Sequence, residues 1–318
     1  MLVVQDINDL IGQTPLLELR KLYPGSVKAK IMAKLELCNP TSIKDRGVYF
    51  MVREAVKAGQ ITPGTEVVEA SSGNTGIALA RAAATMGFKA RIYMSELCSV
   101  ERLRIMSAYG ATIVLTPAAE HTRGARERAI AYCEANRAKT FFLNQHGNRN
   151  NGLAHEMTTG PELWTQTGGE LAAMIIGLGT AGTFDGLSRY LKSKSKDIRI
   201  IAFEPAKSPV YAGGKQGVHR LIGIGPGFVT DNFKRSRMNL DEIIHVTDED
   251  AYQFTRGLAR KEGVLAGPTS GAAAWVAGEV GRRDEFAGKT IVCFFYDSGE
   301  RYLSTEGLFE VNNCEKAS

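Results

Sequence analysis

The chain has 318 residues, 44% of them hydrophobic and 23% charged, which is the composition of a folded globular protein with one or two domains. Lysine plus arginine (39) exceeds aspartate plus glutamate (34), but the resulting charge of +5 includes no basic run, which argues against nucleic-acid binding. Five cysteines without C-x-x-C spacing, five scattered histidines and no long apolar segment predict a cytoplasmic protein with free thiols, no metal site and no membrane span.

The first half of the chain alternates short strands with longer helices. Strands are predicted at 31–36, 66–69, 90–94 and 112–115. Helices are predicted at 45–58, at 100–109, at 124–136, and from a cap at Ser72 or Asn74 to 87. Glycines at positions 59 and 110 are expected to end two of these helices, because glycine adopts the left-handed backbone that follows a helix.

A second series of the same kind fills the rest of the chain. Strands are predicted at 172–176, 198–203, 243–246 and 290–296. Helices are predicted from the glycine-rich turn to about 192, at 270–280, and at 249–261 with Asp248 as the cap and Gly263 as the stop. The segment 205–233 is rich in glycine and proline and reads as a functional loop. This order predicts an α/β fold with mainly parallel sheets covered by helices.

Three segments carry the candidate chemistry. Lys44 lies between Pro40 and a predicted helix start, where burial and positive potential lower an amine pKa; the alternative is an ordinary solvated lysine. The turn 177–183, GLGTAGT, joins a strand to a helix and suits a phosphate, although small residues also suit any tight turn. The loop 71–76, SSGNTG, suits a carboxylate at a helix start, or simply caps that helix. An aldehyde-holding lysine together with a phosphate site indicates pyridoxal phosphate.

These segments resemble the cysteine synthase branch of the fold type II pyridoxal phosphate enzymes, which includes O-acetylserine sulfhydrylase and cystathionine β-synthase. The resemblance extends over nearly the whole chain. Its further blocks, in chain order, are IGQTPL (11–16), NQ (144–145), TTGPELW (158–164), GIGPGF (223–228), EGVLAGPTSG (262–271) and GERYLST (299–305).

The resemblance implies a role for each matching position. Lys44 is similar to the lysine that forms the Schiff base and moves the α-proton. Asn74 resembles the asparagine that binds the ring oxygen, and Thr269 the hydroxyl residue that faces the pyridine nitrogen. The implied phosphate site consists of Gly179, Thr180, Ala181, Gly182 and Thr183. The implied substrate-binding residues are Ser71, Ser72, Thr75, Gln145 and, in a loop at the mouth of the site (223–227), Gly223.

Two departures from the family pattern stand out. The lysine motif NPTSIK (39–44) is one residue shorter than the usual Asn-Pro-x-x-Ser-Val-Lys, which trims the loop beside the substrate. Ala181 replaces a usual glycine in the phosphate site, a small change if its backbone φ is negative.

A hydroxyl rather than a carboxylate at the pyridine nitrogen makes the ring a weaker electron sink, which favours β-elimination over transamination.

The resemblance therefore implies β-replacement on an activated L-serine through an α-aminoacrylate, above all O-acetylserine plus sulfide giving cysteine and acetate. Two alternatives remain. One is another donor or nucleophile (O-phosphoserine, serine or cysteine; homocysteine, an amine or water). The other is a non-catalytic regulator that keeps the fold.

The resemblance also implies an organisation. Two three-layer αβα domains are expected: a larger one from 1–40 and 153–318 that binds the cofactor phosphate, and a smaller, mobile one from 41–152. A homodimer and a partner of the serine acetyltransferase type are further expectations, and an amino acid and a small nucleophile are the expected ligands.

Overall fold

The computed structural model describes residues 3–23, 25, 27–71, 73–96 and 98–310, apart from the side chain of His121. Ser72 and Cys314 therefore lie outside the described residues. Within the described part, no helix is both long and apolar enough to cross a membrane. The strands are β1 (Leu16–Glu18), β2 (Lys30–Leu35), β3 (Glu66–Ala70), β4 (Lys89–Ser95), β5 (Thr112–Thr116), β6 (Thr140–Phe142), β7 (Ala173–Gly177), β8 (Arg199–Pro205), β9 (Glu242–Val246) and β10 (Thr290–Phe295).

Helices connect most of these strands. The α-helices are α1 (Lys44–Lys57), α2 (Asn74–Met86), α3 (Val100–Ala108), α4 (His121–Ala135), α5 (Arg149–Ala154), α6 (Gly160–Gln166), α7 (Gly182–Lys194), α8 (Asp231–Ser236), α9 (Asp248–Gly257) and α10 (Pro268–Gly281). A π-helical turn (His155–Thr159) joins α5 to α6, and another (Leu258–Glu262) extends α9. Short 3-10 turns occupy Ile7–Leu10, Glu36–Cys38, Ala118–Glu120, Arg237–Asn239, Asp284–Phe286 and Gly299–Tyr302.

The strands form two sheets. One has the order β1-β2-β10-β7-β8-β9 and is parallel except for β1, which runs antiparallel to β2. The other has the order β5-β4-β3-β6 and is parallel throughout. The prediction of an α/β fold with mainly parallel sheets is therefore confirmed.

The central strands explain this arrangement. In β7, Ala173 to Ile176 are all buried, and β10 is buried from Ile291 onwards. A continuous apolar run of this kind is typical of a parallel strand covered on both faces. Cys293 lies in the middle of β10, fully buried, and burial raises the pKa of its thiol to about 12. The carboxyl ends of β2, β10 and β7, which are neighbours in the sheet, meet at one edge.

The local structure differs from the sequence-based expectations at several elements and agrees with them at one helix stop. Strands β1 and β6 and the helical run from α5 to α6 were not predicted. The cap of α9 is Thr247 rather than Asp248, because the Thr247 hydroxyl accepts from the Asp250 amide at 3.1 Å. The N-cap of α2 is Gly73, and Asn74 is already the first helical residue. The predicted stop at Gly263 is confirmed by its left-handed φ of 70°.

A buried charge cluster fixes the start of α1, the helix that begins at Lys44. The Arg46 guanidinium donates to both oxygens of Glu36, at 2.7 and 2.8 Å, and to both oxygens of Glu162, at 2.7 and 2.8 Å. Lys34 Nζ donates to the same Glu162 at 2.7 Å. The cluster ties α1 to α6 and to the turn that follows β2.

Replacing Arg46 tests how far this cluster holds α1. We expect Arg46→Met to lower the free energy of unfolding by about 3 kcal/mol, because it leaves the buried Glu36 carboxylate without a cation and the partly buried Glu162 with Lys34 alone. Urea unfolding of the purified protein measures the change. Arg104→Met is the control, since Arg104 is an exposed arginine on α3, and it should shift stability by less than about 0.5 kcal/mol. Equal losses in the two variants would contradict the prediction.

Candidate active site

One pocket brings together segments that are far apart in the sequence. Its walls come from the start of α1, the start of α2, the turn after β7, the mouth loop, the start of α10 and the end of β10. The lining residues are Ile43, Lys44, Asn74, Gly177, Gly179, Thr180, Ala181, Thr183, Gly223, Ile224, Thr269 and Tyr296. Eight residues singled out in the sequence are in this lining, so the three candidate segments do converge.

Lys44 is the first residue of α1 and is half-buried in the pocket wall. Burial lowers the pKa of its ammonium group to about 8, although the carboxylates of Asp297 and Glu36 attract the charge and oppose that shift. At neutral pH, Lys44 is therefore a neutral amine in roughly a tenth of the molecules, a far larger fraction than for a solvated lysine. A neutral amine is the form that attacks an aldehyde.

The loop before Lys44 is held from two sides. Its backbone meets the end of β10, since the Ile43 amide donates to the Tyr296 carbonyl at 3.0 Å and Ser42 forms a bridge with Asp297. The buried carboxylate of Asp45 accepts from the Thr41 amide at 2.6 Å and from the Ser42 amide at 3.0 Å. These contacts fix the direction in which Lys44 leaves the backbone.

The glycine-rich turn after β7 approaches its neighbours very closely. A Cβ on Gly179 would lie 2.2 Å from the Gly223 carbonyl oxygen, and one on Gly182 would lie 2.3 Å from Asn151 Oδ1. The Gly179 carbonyl accepts from the Tyr211 hydroxyl at 2.7 Å. With its carbonyls bonded outwards, the turn presents the N-terminus of α7 to the pocket, an arrangement that suits a phosphate.

Side chains around the turn support this geometry. The Thr180 carbonyl accepts from Thr230 Oγ1 at 3.2 Å and from Asn232 Nδ2 at 3.0 Å. Thr183 Oγ1 lies 3.1 Å from Nε2 of His155, whose other ring nitrogen lies 2.9 Å from Thr159 Oγ1. Burial holds the pKa of His155 well below its usual value, so a neutral imidazole orients the Thr183 hydroxyl.

The backbone of Ala181 corrects the sequence-based expectation. Its φ is +58°, in the left-handed region. Glycine adopts this region without steric cost, whereas the Cβ of alanine makes it unfavourable. The replacement of the usual glycine is therefore a strained position at the N-cap of α7 rather than a small change.

Ser71, Thr75 and Gln145, which are expected to hold a substrate carboxylate, lie near the carboxyl ends of β3 and β6, outside the pocket lining. Thr75 Oγ1 donates to Gln145 Oε1 at 2.5 Å, and Gln145 Nε2 donates to the Ala70 carbonyl at 3.0 Å. Ser71 is buried beside them, and its Oγ accepts from the Gly73 amide at 3.3 Å. Ser72 lies outside the described residues.

Two amides that sequence reasoning missed connect this region to the glycine-rich turn. Asn151 Nδ2 and Asn232 Nδ2 both donate to the Gln145 carbonyl, at 2.8 and 2.9 Å. Asn151 Nδ2 also lies 3.3 Å from Thr180 Oγ1. Neither asparagine lies in a recognisable motif, because the contacts form only when α5 and α8 pack beside the turn.

Thr269 and Asn74 complete the ring-binding end of the pocket. Thr269 follows Pro268 at the start of α10 and is buried, with its methyl group 3.7 Å from the position of a Cβ on Gly223. Asn74 bonds to Asp297 and to Arg301, neither of which was a sequence-based candidate. An amine, an amide, a hydroxyl and a helix N-terminus in one pocket fit the four polar parts of pyridoxal phosphate.

A model of the pyridoxal-phosphate-dependent enzyme family matches residues 7–297. The chain belongs to this family. It is 42% identical to a probable cysteine synthase of Bacillus subtilis over 308 residues, which are 96% of this chain and 97% of the relative. The sequence-based resemblance and its cofactor are thereby confirmed.

Solved structures agree. A cysteine synthase of Entamoeba histolytica superposes with a TM-score of 0.92 at 39% identity, covering 99% of this chain and 93% of that one. An O-acetylserine-dependent cystathionine β-synthase of Helicobacter pylori superposes with a TM-score of 0.91 at 35% identity, covering 98% of this chain and 100% of that one. The same fold thus occurs in proteins named as a cysteine synthase and as a cystathionine β-synthase.

Relieving the strain at position 181 should stabilise the protein. We expect Ala181→Gly to raise the free energy of unfolding by about 0.5–1 kcal/mol, since the lost steric penalty exceeds the added freedom of the unfolded chain. Urea unfolding of the cofactor-free protein measures it. Ala277→Gly, inside α10, is the matched control and should destabilise by about 1 kcal/mol. A loss of stability at both positions would show that the strain is not there.

His146, next to Gln145, generates a pH prediction. It is buried against Phe228 with its Nδ1 unpaired, and burial, together with the positive charges of Arg126 and Lys44, lowers its pKa to about 3. Between the unfolded pKa of about 6.5 and this value, the unfolded chain binds one more proton, so acid removes stability.

We therefore expect His146→Phe to make the free energy of unfolding less sensitive to acid. The variant should lose about 1.4 kcal/mol less for each pH unit below about 6 than the unchanged protein does, while His155 still contributes its own share. Unfolding curves at a series of pH values measure the two slopes. Identical slopes would mean that His146 is already accessible to protons in the folded protein.

Proposed function

We propose that this enzyme is a cysteine synthase, which replaces the acetoxy group on Cβ of O-acetylserine by sulfide and gives cysteine and acetate. Full-length similarity to cysteine synthases supports the reaction. The single structural observation that carries it is the low-pKa amine of Lys44 in the same pocket as the glycine-rich turn.

The pocket residues receive separate roles. Lys44 would hold the cofactor aldehyde, and Asn74 would donate to the ring oxygen. Thr269 would supply the hydroxyl for the pyridine nitrogen. The phosphate would be bound by the turn that contains Gly179, Thr180, Ala181, Gly182 and Thr183. The geometry supports these roles because all except Gly182 line one pocket, and Gly182 begins the helix whose N-terminus faces it.

The chemistry that pyridoxal phosphate supplies, when bound, is electron withdrawal from the Cα–H bond of the amino acid. Lys44 Nζ takes the Cα proton and later returns it, a task suited to an amine whose pKa of about 8 lies near the working pH. Acetate leaves from Cβ, and sulfide forms the new bond at the same atom. Thr75, Gln145 and the loop that begins at Ser71 and contains Ser72 bind the substrate carboxylate, with Gly223 at the mouth.

The two sheets suggest how the site closes. We infer a larger domain, 1–40 plus 153–318, and a smaller one, 41–152, that moves onto the bound substrate. The loop 71–76, which would bind the substrate, follows β3 of the four-stranded sheet. The glycine-rich turn, which would bind the phosphate, follows β7 of the six-stranded sheet. Movement of one unit against the other would exclude water from the reacting atoms. We also infer a cytoplasmic homodimer with a serine acetyltransferase-type partner, in line with the family.

A second candidate keeps the chemistry and changes the reactants. The lysine loop is one residue shorter than the family pattern, and the Helicobacter pylori neighbour is an O-acetylserine-dependent cystathionine β-synthase. Either observation favours a larger nucleophile than sulfide, such as homocysteine. The donor and the nucleophile therefore have to be measured together.

Turnover of a substrate panel tests both candidates. O-acetylserine, O-phosphoserine, serine and cysteine are each supplied with sulfide, homocysteine or an amine, and product formation is followed. We expect the highest kcat/KM for O-acetylserine with sulfide. Lys44→Ala should lower kcat by at least about 10²–10⁴-fold, because the group that moves the proton is lost.

The matched control is Lys57→Ala at the opposite end of α1, where Lys57 is exposed and bonds only to Glu54 at 3.0 Å among the described residues. That variant should keep its activity, since surface ion pairs contribute little. Higher kcat/KM with another donor or nucleophile would replace the proposed reactants. Undiminished turnover by the Lys44 variant would remove the catalytic assignment altogether.

A further inference from the structure

The side-chain amide of Asn74 is held from both ends by residues that follow β10. Arg301 Nη1 donates to Asn74 Oδ1 at 2.6 Å, and Asn74 Nδ2 donates to Asp297 Oδ2 at 2.7 Å. A guanidinium only donates hydrogen bonds, and an ionised carboxylate only accepts them. The two partners therefore fix which end of the amide is oxygen and which is nitrogen, an assignment that otherwise depends on the surrounding network.

The hydrogen-bond inventory leaves one donor for a ligand. The Nδ2 group of Asn74 carries two hydrogens, and Asp297 takes one of them. The second hydrogen belongs to a side chain that lines the pocket. A reversed amide would turn its oxygen towards the ring oxygen and would present no donor there.

Both partners are themselves held firmly. Asp297 is fully buried, accepts from the Tyr302 hydroxyl at 2.6 Å and pairs through its backbone with Ser42. Asp297 Oδ1 packs closely against Gly267, where an added Cβ would lie 2.3 Å from it. Arg301 Nη2 donates to the Thr41 carbonyl, in the loop that leads to Lys44. One network therefore includes both the amide and the lysine loop.

The network also joins the two sheets. Asn74 begins α2, directly after the loop from β3 of the four-stranded sheet, while Asp297 and Arg301 follow β10 of the six-stranded sheet. Asn74 and Arg301 are separated by 227 positions in the sequence. The orientation of the amide thus depends on the two units being in contact.

We propose that Asp297 and Arg301 are positioning residues that orient the Asn74 amide so that its remaining N–H meets the ring oxygen of pyridoxal phosphate. The inference rests on the role proposed above for Asn74. It adds a dependence of cofactor binding on two residues that were not among the site residues implied by the resemblance. Neither residue lines the pocket, so each acts through Asn74.

A double-mutant cycle tests the inference on the full-length protein. The dissociation constant of pyridoxal phosphate is measured by titrating the cofactor-free protein, for Asn74→Ala, Arg301→Lys, Asp297→Asn and each combination with Asn74→Ala. We expect each single variant to weaken binding about tenfold, the loss of one hydrogen bond that involves a charged network. With Asn74 already replaced, Arg301→Lys and Asp297→Asn should add less than about twofold, because residues acting through one group are not additive.

The absorption spectrum of the bound cofactor provides a second readout. A changed contact at the ring oxygen should alter the balance between its tautomeric bands in all three single variants. Arg256→Lys is the control, because Arg256 also donates to a backbone carbonyl, that of Gly307 at 2.9 Å, but lies on α9 outside the pocket lining. It should change neither the dissociation constant nor the spectrum.

The outcomes separate the inference from the function beneath it. If Asn74→Ala leaves binding and spectrum unchanged, the role of Asn74 is wrong and the inference fails with it. If Asn74→Ala weakens binding but the other effects are fully additive, the positioning role is wrong and the role of Asn74 stands. If Arg301→Lys and Asp297→Asn only lower resistance to urea, the network is structural and the inference is overturned.

Discussion

The site depends on the contact between the loop that carries Lys44 and the end of β10. The Ile43 amide bonds to the Tyr296 carbonyl, and Ser42 pairs with Asp297. Because these are backbone contacts, they place the backbone of Lys44 relative to the sheet independently of the conformation of its side chain. Because β7 lies beside β10, the same contact places the backbone of Lys44 near the glycine-rich turn that follows β7.

Electrostatics follow from that placement. Moving an ammonium group out of water lowers its pKa, whereas a nearby carboxylate raises it. At Lys44 burial is the larger effect, and the attraction of Asp297 limits how far the pKa falls. A pKa of about 8 leaves the group able both to accept and to return a proton near neutral pH. A carboxylate near this lysine was not foreseen from the sequence.

What the sequence predicted well was local. The strands with continuous apolar runs, the glycine-rich turn and the helix stop at Gly263 follow from short-range rules. The convergence of Lys44, Asn74 and the turn was predicted through the family resemblance rather than from any spacing. Short strands such as β6, with three residues, give too little pattern to recognise.

What it missed depends on packing. The Asn74 network joins residues more than 220 positions apart, and no local pattern indicates such a contact. The left-handed φ of Ala181 is imposed by the turn between β7 and α7. Alanine by itself disfavours this backbone conformation. Caps are decided by a single hydrogen bond, so Thr247 and Asp248 are hard to tell apart in sequence.

The meeting of Gly179 with the Gly223 carbonyl has a mechanical consequence. Here two stretches of backbone touch with no side chain between them, and a methyl group would have to occupy space already filled by the carbonyl oxygen. The glycine-rich turn and the mouth loop (223–227) are therefore in direct backbone contact at this point. An alanine at position 179 would push the mouth loop outwards. In binding experiments the variant would be impaired in the entry of ligands into the pocket.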